Sequence, residues 1–238
     1  MTAAARRAAA AFLAVALAAT GCHRGNGAPR ASTETRFLDR LATAISGLNA
    51  ARQRLADDAA AIGVTAAALD DVDSVAVTGD RAAVRTQRNA HAAEIPKGMA
   101  AARRMPPDVR AYDAAVAALA AAPAPGLTPA QTTALGNVVT AVRAEAANLH
   151  IYGTVVATVW SRYASLDENQ KLWLSRASNG WYRDQQEAAG NYLVLVDRSA
   201  LDSGRRSLAA ADASRIAAAR RTQGPIDKAR VALASLLG

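Results

Sequence analysis

The side chains in this sequence with chemistry to offer are aromatic or arginine. All three Trp and four of the five Tyr residues fall between positions 152 and 192: Tyr152, Trp160, Tyr163, Trp173, Trp181, Tyr182 and Tyr192. Such side chains combine large apolar area with a polar tip, so they either fill a core or line a groove for a hydrophobic small molecule or a partner helix. Arginine doublets stand at Arg103-Arg104, Arg205-Arg206 and Arg220-Arg221. A guanidinium offers phosphate or carboxylate a planar fork of donors, and near a helix end it also offsets the helix dipole. Doublets that meet in space form a basic ledge toward anionic headgroups; doublets that do not are solvated helix ends.

Reactive constellations are scarcer. A metal or haem site would have to be drawn from His91 with Glu94, Met99, Met105 and His150. The chain contains no HExxH, no Glu-x-x-His pair in each of two helices and no C-x-x-C-H. His91 and His150 are therefore read as surface or hydrogen-bonded core residues. Asp70-Asp71-Val72-Asp73 lacks the glycine and the distal glutamate of a calcium loop. There is no G-x-S-x-G and no S-x-x-K with its companion motifs, and scattered carboxylates nominate no pair for glycoside hydrolysis. The expectation is a protein that is not an enzyme and carries no cofactor or metal.

The one cysteine, Cys22, excludes an internal disulfide and directs attention to the N-terminus. Arg6 and Arg7 precede an apolar run from Ala8 to Ala19, a dozen residues long. That length suits an export signal and falls short of the roughly 20 residues of a transmembrane helix. The run ends at Ala19-Thr20-Gly21-Cys22, which resembles the lipobox of bacterial lipoproteins, with Ala19 where Leu is usual. The resemblance covers only the first tenth of the chain. It implies that residues 1–21 are removed and that Cys22 receives a diacylglyceryl thioether, often with a further acyl chain on its new amino group. Each buried methylene of such chains adds about 0.8 kcal/mol of membrane affinity. It also implies export, with the anchor on the outer face of the cytoplasmic membrane. In a two-membrane cell the anchor would be in the outer membrane facing the periplasm, because His23, and not Asp, follows the cysteine. Residues 22–33, rich in Gly, Pro, Arg and Ser, read as a flexible tether to a helical domain over 34–238.

That domain must position the aromatic and basic residues, and its pattern is helical throughout. Apolar residues at Leu38, Leu41, Ile45, Leu48, Leu55, Ala59 and Ile62 predict a helix from Phe37 that Gly63 stops, with Arg52 as the one misfit in its stripe. Residues 64–77 are weakly patterned and read as a short helix. A second helix is predicted from Asp80 to Ile95, ended or kinked by Pro96, and another is predicted to start at Pro106-Pro107 and break at Ala122 to Gly126. Residues 122–127 are the best internal boundary. Thr128-Pro129-Ala130-Gln131 then has the form of a capping box, and a seven-residue repeat follows from Leu135 to Tyr163. The chain is expected to turn near Ser165-Leu166-Asp167 and to return through Leu174, Trp181 and Tyr192 to Ser199. This antiparallel hairpin would set Trp160 beside Trp173, and Tyr152 near Trp181 and Tyr182, with a bend at Asn179-Gly180. Two last helices, from Asp202 to Arg221 and from Pro225 to Leu237, complete an all-α, up-and-down multi-helix bundle.

Composition sets the remaining bounds. The sequence is rich in Ala and Arg, both helix formers, a bias that GC-rich codons also impose and that carries no functional meaning. Net charge is +8; without Arg6 and Arg7 there remain 26 basic and 20 acidic residues, a net +6. On an exported protein this suits anionic headgroups or acidic wall polymers, and no motif or compartment points to nucleic acid. The functional expectation is a lipid-anchored interaction protein at the cell envelope, an adaptor, inhibitor or accessory subunit with an envelope protein as partner. The alternative is a carrier of a hydrophobic small molecule using the aromatic cluster.

Overall fold

A computed structural model describes residues 33–73, 81–121, 126–176 and 183–234. The expected signal segment, Cys22, the expected tether through residue 32, the expected bend at Asn179-Gly180, Trp181 and Tyr182 lie outside the described residues, as do the side chains of Trp173 and Tyr192. Four long helices account for the described chain: α1 (Thr33–Asp73), α2 (Arg81–Ala120), α3 (Pro129–Arg176) and α4 (Arg183–Leu233). No strand occurs among the described residues. The protein is an all-α helical bundle.

One periodicity runs through all four helices. α1 buries Leu41, Leu48, Leu55, Ile62 and Leu69 at seven-residue intervals, and Phe37, Ala44, Ala51, Asp58 and Thr65 on a second such track. α2 does the same with His91, Gly98, Met105, Tyr112 and Leu119, and α3 with Leu135, Val142, Leu149, Val156, Tyr163 and Gln170. In α4 the track is Leu201, Leu208, a half-buried Arg215, Thr222 and Ala229. A seven-residue track keeps one side chain in every second turn on the buried face, the geometry of coiled-coil-like bundles.

This periodicity overrides several local stop signals that the sequence suggested. Gly63 does not end α1; it sits on the exposed side, and burial of Thr65 and Leu69 carries the helix on to Asp73. The cost of a mid-helix glycine, about 1 kcal/mol, is smaller than that of exposing those side chains. Likewise Pro96, Pro106 and Pro107 neither end nor start a helix, because α2 runs through all three. Each lies on the exposed face, where the carbonyl left without its amide partner reaches water, while Ile95, Ala101 and Met105 stay buried. The turn expected near Ser165 to Asp167 is absent: α3 continues to Arg176, with Leu166 and Gln170 buried in phase. The gap expected at Gly224-Pro225 is absent too, since α4 holds Pro225 inside it. The break between α2 and α3 falls where it was expected. Gly126, at φ 80°, takes the left-handed conformation that a side chain resists.

The capping box forms in full. Thr128 donates its backbone N–H to Gln131 Oε1 at 2.9 Å, and Gln131 returns its own N–H to Thr128 Oγ1 at 3.3 Å. Gln131 Nε2 also donates to the Ala232 carbonyl at 3.2 Å, so one side chain serves the first turn of α3 and the last turn of α4.

Contacts divide the chain into two compact units. The first is Met1–Leu55, Pro107–Asn148 and Ile216–Gly238; the second is Ala56–Pro106 and Leu149–Arg215. In the first, Gly47 packs beside Ala115 and Arg54 Nε reaches Asp108 at 2.6 Å, which sets α1 and α2 antiparallel. Thr222 Oγ1 lies 3.4 Å from the Ala141 carbonyl in the same unit, which with the Gln131 bond makes α3 and α4 antiparallel. In the second unit, Arg104 meets Asp58 between α1 and α2 at 2.7 Å, and Arg162 meets the Ala200 carbonyl between α3 and α4 at 2.7 Å.

Candidate functional site

In the first unit the polar centre is Arg52, the residue that broke the apolar stripe of α1. Its Nε donates to Glu145 Oε1 at 3.1 Å and its Nη2 donates to Glu145 Oε2, a two-point grip across the core. Tyr112 from α2 joins them, with the Arg52 guanidinium carbon 5.9 Å from its ring centre. Burial works against the Arg52 charge, but Glu145, with help from Tyr112, more than compensates and holds the guanidinium above its ordinary value. The Tyr112 hydroxyl is pushed well above its usual range, first by burial and then by the Glu145 charge. Sequence reading registered Arg52 only as a misfit. The missed signal was a carboxylate, Glu145, on a second buried track of α3, in register with Val138, Tyr152 and Val159.

In the second unit the centre is aromatic. Trp160, Tyr163 and Tyr152 are each 1% exposed. Trp160 and Tyr163 lie with ring centres 5.2 Å apart, and His91 meets Tyr163 edge-on at 6.2 Å. The six-membered ring of Trp160 rests on Gly98 of α2, where a Cβ would overlap it. His91 Nδ1 lies 3.3 Å from Gln170 Oε1, and Gln170 Nε2 donates to Gln87 Oε1 at 3.1 Å. Arg205 clamps the Tyr163 hydroxyl from α4 through Nε at 2.8 Å and Nη2 at 2.6 Å. The Tyr152 hydroxyl is raised to about 12 by burial and by Asp212, with Arg215, 5.3 Å from its ring centre, acting the other way. The Trp160 indole N–H finds no acceptor among the described residues.

The expected stacking of Trp160 beside Trp173 does not occur. Both lie on α3, thirteen residues or about 20 Å of helix apart, because the chain does not turn between them. The described aromatic side chains thus pack into helix interfaces as core.

The arginine doublets separate by use. Arg104 is tied to Asp58 and Arg205 to Tyr163, leaving Arg103 and Arg206 exposed beside them. Arg220 and Arg221 are both exposed, with no ion pair among the described residues. Arg221 lines a cleft of about 380 Å³ between α3 and α4 in the first unit, with Lys228 one heptad along. Ala141, Ala144 and Ala218 form its walls, Thr222 and Glu145 reach it from the core, and Asn137 and Thr140 lie opposite. Pro225 also lines it and, lacking an N–H, leaves the Arg221 carbonyl without its helical donor. A second, shallower groove of about 600 Å³ lies between α1 and α2 of the same unit, lined by Asp39, Arg40, Thr43 and small residues. No aromatic side chain lines either one.

Among the described residues, no three His, Cys, Asp or Glu side chains gather as a metal site would require, and no helix is long and apolar enough to cross a membrane. The chain matches no protein-family model, no curated protein and no solved structure.

Proposed function

We propose that this is a lipid-anchored protein of the cell envelope that works by presenting a rigid helical surface to a partner, without catalysing a reaction. The observation that carries this reading is how its buried polar side chains are spent. Glu145 is held by Arg52, Asp58 by Arg104, His91 by Gln170, and the Tyr163 hydroxyl by Arg205. Groups tied to one another in this way fix a core; a general acid, base or nucleophile must instead face a substrate. The close packing of Tyr152, Trp160 and Tyr163 supports a surface role over enclosure of a hydrophobic ligand. The address rests on Arg6, Arg7, the apolar run and Ala19-Thr20-Gly21-Cys22.

Two measurements test this. Replacing Cys22→Ala should abolish incorporation of labelled fatty acid and release the protein from membranes; a substituted protein that stays membrane-bound in high salt removes the anchor from the reading. Native mass spectrometry of the acylated protein, with cross-linking in intact cells, should yield a discrete protein adduct. A stoichiometric hydrophobic small molecule in its place would favour a carrier.

A further inference from the structure

Several basic residues elsewhere in the described chain pair with nearby acids: Arg52 with Glu145, Arg54 with Asp108, Arg88 with Asp167, Arg104 with Asp58, Arg215 with Asp212. The C-terminal part of α4 differs. Between Ile216 and Leu233 it carries Arg220, Arg221, Lys228 and Arg230, all exposed and without an ion pair among the described residues, against one acid, Asp227. The helix dipole explains Arg230, which lies in the last turn, but its influence fades within that turn and does not reach Arg220 or Arg221. Arg221 and Lys228 flank a cleft whose walls are alanine and whose carboxylate, Glu145, is already gripped by Arg52. The uncompensated charge of the cleft is therefore positive, which suits an anion.

The same unit contains the start of α1, at Thr33. The eleven peptide links from Cys22 to Thr33 can span roughly 40 Å at full extension, so a membrane holding Cys22 lies within reach of this unit. We propose that the basic face formed by Arg220, Arg221 and Lys228 docks on anionic phospholipid in the leaflet that holds Cys22, with a headgroup phosphate seated between Arg221 and Lys228. The proposal rests on the reading of Cys22 as the lipid anchor. Acyl chains supply most of the membrane affinity, and the basic face sets the orientation in which the bundle is held. Each base near an anionic surface adds about as much attraction as one or two acyl methylenes, and salt removes that part alone.

The test uses the full acylated protein carrying Gly224→Cys, labelled with an environment-sensitive fluorophore. Gly224 lies between Arg221 and Lys228 on α4 and has open space where a side chain would go. Flotation with phosphatidylcholine vesicles in high salt reads the anchor alone, and failure to float overturns the Cys22 reading. The face is read separately, by emission in phosphatidylcholine vesicles with and without roughly 30% phosphatidylglycerol. A blue shift only in the anionic vesicles is expected, reversed in about 0.5 M salt, where screening shortens to a few ångström. Arg221→Gln with Lys228→Gln should abolish the shift, whereas Arg103→Gln with Arg206→Gln, which removes the same charge elsewhere, should preserve it. Identical emission in both vesicle types overturns the proposal, as does equal loss in both double variants. A shift produced by inorganic phosphate on phosphatidylcholine vesicles would make the cleft a free-anion site and would also overturn the lipid assignment.

Discussion

Arg52 and Glu145 are the residues whose burial most needs their partner. Removing charges from water is costly, and the mutual attraction of Arg52 and Glu145 repays it through a two-point grip. Glu145→Gln should therefore destabilise the fold by about 1.5–3 kcal/mol, because it leaves a half-buried guanidinium without its carboxylate. Arg52→Met combined with Glu145→Leu should recover most of that loss, since the pair as a whole is worth little beyond a packed apolar replacement. Urea unfolding of the three proteins measures both. A double variant no more stable than Glu145→Gln would mean that the pair adds stability beyond its own compensation. The pair was half legible in the sequence. Arg52 stood out as a misfit in an apolar stripe, but its partner lies 93 residues away, and a single sequence does not show which acid on which face will meet it.

At the scale of the element, the helices obey a simple rule with local exceptions. The capping box at Thr128 and the break at Gly126 were readable because they depend on neighbours three residues apart or on a single backbone angle. The ends at Gly63, Pro96, Pro106, Leu166 and Gly224 were misread because each weighed a residue's intrinsic preference against nothing else. A seven-residue track of buried side chains on both sides of the signal outweighs a glycine or an exposed proline. Gly98 shows the other use of glycine, as a bed for the Trp160 ring. Gly98→Ala should cost about 1–3 kcal/mol through overlap with that ring. Trp160→Phe in the same protein should return part of the cost, because the overlapping atoms belong to the part of the indole that Phe lacks. Thermal unfolding of the two single variants and the double variant gives the coupling between them. Strict additivity would show that the clash is relieved by backbone movement instead.

For the molecule as a whole, the buried tyrosines set an alkaline limit. In the unfolded chain a tyrosine ionises near pH 10, whereas Tyr152 in the fold holds its proton to about 12 and Tyr112 is also shifted upward. Between those values the unfolded state binds fewer protons than the native state, so stability falls as pH rises. Below pH 10 both states keep the proton and the full contribution remains. The urea midpoint should therefore be flat up to about pH 10 and decline steadily beyond it, less steeply in Tyr152→Phe. A decline of unchanged slope in that variant would assign the alkaline loss to other groups. The aromatic content of the second half was visible in the sequence, but its role was not, since the same seven residues suit a core or a groove. Helix continuity through Leu166 decided the matter for those that are described, by placing Trp160 and Trp173 far apart along one axis. The basic doublets were equally visible, and only the fold distinguishes Arg104 and Arg205, each tied to a partner side chain, from Arg220 and Arg221, which have no ion pair among the described residues.

A helix that repeats every seven residues, built largely from alanine and leucine, has a problem of address. Slid by one repeat against its neighbours, it would bury much the same surface and fit almost as well. The Arg52 and Glu145 pair removes that ambiguity in the first unit, since a slip of seven residues would leave each charge buried opposite an apolar side chain. In the second unit, His91 with Gln170 and Gly98 with Trp160 each accept one alignment. These few irregular positions carry the information that the repeat discards, and so mark the zero on a scale whose divisions are otherwise alike.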